Sequence, residues 1–598
     1  MQSVIEALLF VAVLIGLPVS MLLTDRASGP QIFDRQNAVR RILWLSAVVA
    51  FIISAKQSEW LPFLILPYLC FTFVIAGQGF FRLVGRGPTP FSELAIDLGR
   101  VNLAVAGMWW TAHAWHMHPL GIREPIVILT SIHFHFAGYF LPVLMGLSGR
   151  LLEYGCGVAM RRIYRIGILL LLTGIWLTAT GILLGGTIEI TLAIMFIMIV
   201  VGMILITGIG IWRVSFGSFD RSRERFRNRT ARLLWTGALL CLTIGMWYAL
   251  RFALRGSWLP VISIPGMVAT HGMWNAIGFT GLALLAMFIM RPWLRLKFDP
   301  IPFSRLRGGL RIGTDFFTRH KLETATDKQG RALSGDHIGQ SVRGLMDRFD
   351  SFQSAELNVK SVPVSIRDFY ENTRDYNLIV SAQWQLGFKR AGRLYARWIS
   401  RRIEQMNFPT QEQTTQNFGQ EASRLLSRIF PINSERDGRN RVRAWVRGYV
   451  RPDGSVERAI YAAAYSEHSD SNRTYMNIAF PVPGGNLTSI LRLEWRPQRN
   501  ELLLTSREHQ KSPGDQGVYL VLPLLTIRLP LNESIYVWVE SKSKKGRAGF
   551  VASESTNANA NAKVEADALL RARHDMWLFG IPFLQLHYEM RSERLTPA

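Results

Sequence analysis

Apolar residues are distributed unevenly along this 598-residue chain. Runs of membrane-span length crowd the first 290 residues, whereas after Pro292 short apolar stretches alternate with charged and polar residues. A helix needs about 20 mainly apolar residues to cross a bilayer. The pattern predicts a transmembrane helical domain of about nine spans over residues 1–290. The predicted spans, of which the second is short, are Val4–Leu23, Ile42–Ala55, Trp60–Phe81, Leu98–Trp115, Ile126–Leu147, Ile163–Leu184, Ile188–Trp212, Leu233–Leu254 and Val261–Met290.

The second half of the chain carries the signals of antiparallel strands. The stretches "RVRAWVRGYVRPDGSVERAIYAAAYSE" and "SILRLEWRPQRNELLLTS" each place turn residues between two apolar runs, which predicts two hairpins. "GVYLVLPLLTIRLPLNESIYVWVE" predicts two more strands, and "HDMWLFGIPFLQLHYEM" predicts a closing pair. We expect a polar linker with short helices over 291–365. Over 366–598 we expect an α+β domain with a mainly antiparallel curved sheet or partial barrel.

One long helix is predicted in that second domain, over "FKRAGRLYARWISRRIEQM", residues 388–406. On a helical wheel its apolar side chains occupy one half and most of its arginines the other. The two sets are Leu394, Tyr395, Trp398, Ile399, Ile403 and Met406, against Arg390, Arg393, Arg397 and Arg401. Two interpretations stay open. The helix can lie on anionic lipid, or it can be a core helix with a solvated basic face.

The chain has a formal net charge of +25, which in a soluble protein would suggest nucleic acid as a partner. Here the basic residues collect in alternate loops between the predicted spans, as in "RVSFGSFDRSRERFRNRTAR", and the intervening loops hold few. By the positive-inside rule the N-terminus lies outside and the C-terminal domain is cytoplasmic. We therefore expect the lipid bilayer and the anionic headgroups of its cytoplasmic face as partners, and no nucleic acid.

No signature of catalysis or of thiolate metal binding is found in the sequence. Nucleophile-elbow, P-loop and paired-carboxylate patterns are absent, and the second-half histidines His468, His574 and His587 are isolated. No catalytic residue is predicted, and whether the chain is an enzyme stays open. The three cysteines, Cys70, Cys156 and Cys241, lie far apart with no CxxC pair, so neither a disulfide framework nor a thiolate zinc site is implied.

Six of the 12 histidines lie in the membrane half, and in the predicted orientation they share the outer half of the bilayer or its edge. His113 stands at the outer end of the fourth predicted span, His133 and His135 lie two turns into the fifth, and His271 lies in the ninth. Imidazoles are costly in lipid, so several at one depth predict a polar site. The alternative is that each histidine only forms hydrogen bonds between helices.

Helix geometry limits which of these side chains can share a site. At 100° per residue, His133 and His135 point about 200° apart, whereas His271 and Asn275 share a face. We expect His133 to face His271 and Asn275, and His135 to point elsewhere. The predicted binding residues are His133, His135, His271, Asn275 and His113. Their spacing matches no known ligand motif, so a metal, a haem, a proton path and a small substrate stay open.

A family resemblance accompanies these patterns. "HFHFAGYFLP" followed by "THGMWNAIGF" resembles the membrane domain of the YndJ-like family of bacterial proteins. The second half resembles the domain found with it, in "DFYENTRDYNLIVSAQW", "RLYARWISRRIEQMNFP", "PGDQGVYLVLPL" and "HDMWLFGIPFLQLHYEM". The resemblance implies a multi-pass protein of the bacterial inner membrane. It also implies that the family's shared histidines map to His133, His135 and His271, but it implies little about chemistry.

Three hypotheses of function follow. The chain is a transporter whose substrate meets a histidine-lined polar site in the outer half of the bilayer. Alternatively, it is a metal- or haem-binding redox protein that uses the same residues as ligands. In the third hypothesis it is a non-catalytic membrane anchor for a cytoplasmic domain that binds a lipid or a protein partner. The sequence identifies neither a cofactor nor a particular protein partner.

Overall fold

A computed structural model divides the chain into two compact units, Met1–Pro300 and Ile301–Ala598. The boundaries expected from the sequence at residues 290 and 365 stay predictions. The structure describes residues 2–25, 44–45, 48, 61–214, 223–254, 262–292, 301–323, 342–385, 387–407, 425–450, 456–470, 473–508, 514–540 and 569–592.

Within the described residues, seven helices of the first unit are long and apolar enough to cross a membrane. A multi-helix membrane domain is therefore confirmed, while the number of nine spans stays a prediction. The predicted span Ile42–Ala55 lies, apart from three residues, outside the described part of the chain. The helices are α1 (Ser3–Thr24), α2 (Pro62–Arg86), α3 (Phe91–Ala114), α4 (Ile126–Glu153), α5 (Val158–Leu184), α6 (Gly186–Arg213), α7 (Asn228–Ala253) and α8 (Ile264–Met290), and α3 is the one outside the set of seven.

Helix α3 corresponds to the predicted span Leu98–Trp115 but begins two turns earlier. Asp97, Arg100 and Asn102 are all buried along it, so α3 is more polar than the other seven helices. It is buried on nearly all sides and packs against α2 and α4. A Cβ at Gly79 of α2 would lie 2.6 Å from the Asp97 carbonyl oxygen, so this close approach requires glycine. Helix α3 is therefore a central helix of the bundle.

Several helices contain π-helical segments, in which the chain fits more residues into each turn than an α-helix does. In α4 the π segment is Phe134–Phe140, and in α8 the π segments are Val268–Gly272 and Trp274–Gly281. Such segments rotate the residues that follow them relative to a regular helix, and they are frequent at functional sites. In α4 the π segment begins directly after His133, and in α8 the first π segment contains His271.

The second unit is built on a 12-stranded antiparallel sheet with strand order β1-β12-β11-β10-β7-β6-β5-β4-β3-β2, and β8 pairs with β6 and β9. Arg447 on β3 donates to the Leu378 carbonyl on the edge strand β1 at 2.7 Å, so the sheet curls towards closure. The expected curved antiparallel sheet is confirmed. The strands are β1 (Tyr376–Trp384), β2 (Leu425–Pro431), β3 (Arg443–Val450), β4 (Val456–Ser469), β5 (Thr474–Val482), β6 (Gly485–Arg496), β7 (Glu501–Thr505), β8 (Gly517–Val521), β9 (Thr526–Arg528), β10 (Leu531–Val539), β11 (Leu570–Leu578) and β12 (Ile581–Ser592).

Helical segments and coil cover both faces of this sheet. The segment 301–323, assigned to a polar linker from its sequence, buries Leu306, Ile312 and Phe316 against residues of β3 to β5. On the other face, helix α9 (Val364–Glu371) and the preceding coil pack on the main apolar cluster. Helix α10 (389–403) follows β1 and joins the segments Lys389–Tyr395, Ala396–Ser400 and Arg401–Ile403, the middle one being π-helical. Two single-turn helices are Phe316–Arg319 and Ser434–Asp437.

Candidate binding site in the membrane unit

Helices α4 to α8 line a partly open cavity of about 260 Å³ whose side chains are mainly apolar. His133 of α4 and both His271 and Asn275 of α8 line it together. His133 and His271 each lie about two turns after the start of their helices. Since both line the same cavity, these two helix starts lie at the same end of the bundle. The polar residues of the lining are His133, Thr178, Glu189, His271, Asn275 and Thr280.

His271 and Asn275 form the ordered side of this cavity. The His271 Nδ1 atom lies 2.8 Å from the Gly245 carbonyl oxygen of α7, which can only accept, so Nδ1 carries the proton. The amide Nδ2 of Asn275 lies 3.2 Å from both ring nitrogens, and Nε2 is the one that can then accept its proton. The i,i+4 contact expected from the sequence is therefore present. A Cβ at Gly245 would overlap the Asn275 amide group, so glycine is required where α7 meets this pair.

Two polar atoms at the cavity have no hydrogen-bond partner among the described residues, His133 Nε2 and Asn275 Oδ1. Burying a polar atom without a partner costs roughly 1–3 kcal/mol, so native proteins rarely leave such atoms unsatisfied. Asn275 Oδ1 is an acceptor, and Nε2 of a neutral histidine accepts or donates according to its tautomer. Both residues belong to the few polar residues of an otherwise apolar cavity lining.

His135 points away from this cavity. Its ring is fully buried, with Nδ1 2.8 Å from the Ser131 carbonyl oxygen and Nε2 hydrogen-bonded to the Tyr68 hydroxyl. Both ring nitrogens therefore have partners. His113 also lies elsewhere, at the end of α3, where Nδ1 is 2.7 Å from Glu124 Oε1. Of the five predicted binding residues, the structure brings together His133, His271 and Asn275 and separates His135 and His113.

Glu189 and Thr178 are cavity residues that the sequence analysis missed. Glu189 opens α6, in "GTIEITLAIMF", as a single carboxylate in an otherwise apolar run. An ionisable residue inside a membrane segment is itself a signal of function, and that signal was present in the sequence. The Thr178 hydroxyl already donates to the Gly174 carbonyl at 2.9 Å, so it is a weaker candidate for ligand contact.

A second polar region lies at the opposite end of the bundle, around the start of α3. We call it the α3 charge cluster. Glu93 accepts from Arg150 at 2.5 and 3.0 Å and from Arg82 at 2.7 Å, and Asp97 accepts from Arg86 at 2.6 Å. Glu93 and Arg150 are buried. The sequence pattern does not show these ion pairs, because the partners lie in different helices.

The cavity does not supply a full set of metal ligands. Across the described part of the chain, no group of three or more His, Cys, Asp or Glu side chains could hold a metal ion. His133 and His271 would provide two nitrogen ligands, whereas structural zinc sites take four protein ligands and catalytic sites three. The geometry therefore gives no support to a zinc-type metal site.

The first unit is a bundle of long apolar helices, and the second is built on an antiparallel sheet. The helices define the chain as a multi-helix membrane protein. Residues 7–279 match the YndJ-like protein family. The uncharacterized membrane protein YndJ of Bacillus subtilis (strain 168) is 27% identical over 503 residues, which cover 83% of this chain and 78% of that protein. No solved structure matches the chain. The resemblance inferred from the sequence is confirmed: most of the membrane unit matches the YndJ-like family, and the chain is similar to the Bacillus subtilis membrane protein over most of its length.

Proposed function

We propose that the membrane unit is a transporter whose substrate binds in the cavity at His133, His271 and Asn275. The observation that carries this proposal is that His133, His271 and Asn275 line one apolar cavity together, while His133 Nε2 and Asn275 Oδ1 have no hydrogen-bond partner in the described part of the chain. Ligand pockets typically combine an apolar lining with a few polar groups that fix orientation. The substrate class that fits is a small, mainly apolar molecule with N–H or O–H donors.

Removal of the two polar atoms tests the site. Protein purified from its own membranes is extracted, and small molecules that co-purify are quantified by mass spectrometry. His133→Leu and Asn275→Leu are each expected to lower the bound molecule about tenfold, since a buried donor left unpaired costs about 1–3 kcal/mol. The double variant should lose less than the sum of the two effects, because both side chains contact one molecule. His133→Gln, which restores an acceptor, should recover part of the binding.

Thr178→Val is the matched control, because it removes a polar atom from the same cavity whose hydrogen bond is already made within α5. It should retain the molecule. Gly245→Ala should lose it by displacing the Asn275 amide, whereas Gly237→Ala on the same helix meets only Leu282 Cδ1 at 3.6 Å and should retain it. Full retention in the double variant, or equal loss in the control, contradicts the proposed site.

We further propose that the chain lies in the bacterial inner membrane with its N-terminus outside and its second unit in the cytoplasm. The support is the bias of arginine towards alternate loops, which sets orientation in multi-pass proteins. The end of the bundle that carries the cavity then faces outside. A reporter fused after Ala598 should be active only in the cytoplasm, and one inserted near Gly186 only outside. A C-terminal reporter active outside contradicts this orientation and the depth of the site.

A further inference from the structure

The second unit contains a cavity of about 1170 Å³ against the concave face of its sheet. Apolar side chains from many strands line it, among them Leu378, Ile478, Leu491, Leu504 and Val537. Small-molecule pockets commonly measure about 300–1,000 Å³, so this cavity has room for a long flexible chain. Curved sheets that close or nearly close are known to enclose apolar ligands.

Helix α10 crosses one rim of this sheet and covers the cavity. It begins beside the end of β1, where Gly392 lies so close to Trp384 that a Cβ would overlap the indole ring. Just after its end, Gln405 donates to the Ala462 and Pro481 carbonyls of β4 and β5 at 2.8 and 3.0 Å. The helix is thus attached at both ends, and Tyr395 and Ala396 line the cavity from between them.

The outward surface of α10 is apolar and cationic. Leu394, Trp398 and Ile399 are 58%, 51% and 50% exposed, which contradicts the interpretation as a core helix. Trp398 and Ile399 lie in the π segment Ala396–Ser400, whereas Leu394 lies in the α-helical segment before it. Arg402 lies over the Trp398 ring, with its guanidinium carbon 4.8 Å from the ring centroid.

The same rim carries further exposed apolar side chains at two hairpin turns. Phe579 and Ile581 lie at the turn between β11 and β12, which is the rim where β1 ends and α10 begins. Leu524 lies at the turn after β8. The last residue of β8, Val521, pairs with Asn486, and Asn486 pairs with Pro481, whose carbonyl accepts from Gln405 just after α10. Apolar and aromatic side chains mixed with arginine are typical of surfaces that enter the headgroup region of anionic membranes.

We propose that the second unit binds the acyl chain of an anionic amphiphile in the sheet cavity, and that α10 is the membrane-facing gate through which the chain enters. Arg393, Arg397 and Arg401 each line the cavity and are also exposed. They are therefore placed to hold a carboxylate or phosphate head at the mouth while the chain lies inside. A free fatty acid and an anionic phospholipid share this chemistry.

Photolabelling of the full chain tests the proposal and separates the two sources. The protein is reconstituted in phosphatidylcholine vesicles that contain either diazirine-bearing palmitic acid or phosphatidylglycerol with the same labelled chain. Labelled peptides are identified by mass spectrometry, and label in the membrane unit serves as the internal standard. We expect label on the cavity strands, such as β5, β6 and β10. Labelling by palmitic acid alone identifies a free fatty acid, and labelling by phosphatidylglycerol identifies a phospholipid.

Variants of the mouth decide whether the label reports the proposed site. Arg393→Gln/Arg397→Gln/Arg401→Gln should lower strand labelling at least about fivefold, because each arginine contributes to holding the anionic head. The matched triple Arg348→Gln/Arg499→Gln/Arg591→Gln removes the same charge from exposed sites outside the cavity lining and should have little effect. Ala396→Trp, which fills the mouth from a half-buried position, should also lower labelling. Unlabelled strands beside a labelled membrane unit, or equal loss in both triples, overturn the proposal.

Discussion

Replacing Glu93 with glutamine is expected to lower the free energy of unfolding of the membrane unit by about 3–5 kcal/mol. Glu93 is fully buried and neutralises Arg150, which is also buried, through two hydrogen bonds of 2.5 and 3.0 Å. The amide keeps the shape of the side chain but leaves the arginine charge without its counterion. Denaturant unfolding in detergent micelles, followed by tryptophan fluorescence, measures the change.

A double variant separates the ion pair from the packing around it. Glu93→Gln/Arg150→Met should be less destabilised than the sum of the single variants, because removing both charges relieves the uncompensated one. Glu124→Gln is the control, since Glu124 is partly exposed and its partner is His113. It should change stability by less than about 1 kcal/mol. A Glu93→Gln variant as stable as this control contradicts the structural role of the α3 charge cluster.

An effect of similar size, about 3–5 kcal/mol, is expected for Asp437→Asn in the second unit. Asp437 and Arg439 are buried and form a bidentate pair at 2.7 and 3.0 Å. Asp437 also accepts from Ser304 at 2.7 Å, which attaches the segment 301–323 to the sheet. The variant should therefore both destabilise the unit and raise amide hydrogen exchange around Ser304, as measured by mass spectrometry.

The exposed pair of Asp315 and Arg319 provides the comparison for this prediction. Its charges are 3.8 Å apart at i,i+4 and its side chains are about half exposed. Asp315→Asn should change stability by about 0.5 kcal/mol or less, because solvent screens such pairs. If Asp437→Asn behaves like Asp315→Asn, the segment 301–323 is not held by this contact.

Long periodic patterns in the sequence predicted most of the architecture. Seven of the expected spans correspond to helices that can cross a membrane, because about 20 apolar residues in a row have few other stable conformations. Hairpins were predicted where turn residues stand between apolar runs. The strands β6 and β7 meet around Pro497–Arg499 as expected. The stretch expected to form two strands forms β8, β9 and β10, since the short β9 has no periodicity of its own.

The candidate site was predictable in part. The similar depth of His133 and His271 in the predicted bilayer, and the i,i+4 spacing of His271 and Asn275, predicted that these residues lie close together. In the structure all three line one cavity. Helices α5, α6 and α7 supply much of the remaining lining. Which of their residues lie near the histidines depends on how the helices pack, and the sequence of a single helix does not contain that information. The sequence left two interpretations of α10 open, and the exposure of Leu394, Trp398 and Ile399 is a property of the tertiary structure that the helical wheel does not contain.

The pairing of β1 with β12 has a consequence for the time at which the second unit folds during synthesis. Tyr376 lies opposite Ser592, so the strand made first waits for a partner made about two hundred residues later. At roughly 5–20 residues per second, this delay is on the order of 10–40 s. During that interval one edge of the nascent sheet is unpaired and its apolar concave face is open to water. Chaperones that shield exposed strand edges therefore have a defined period in which to act on each new chain.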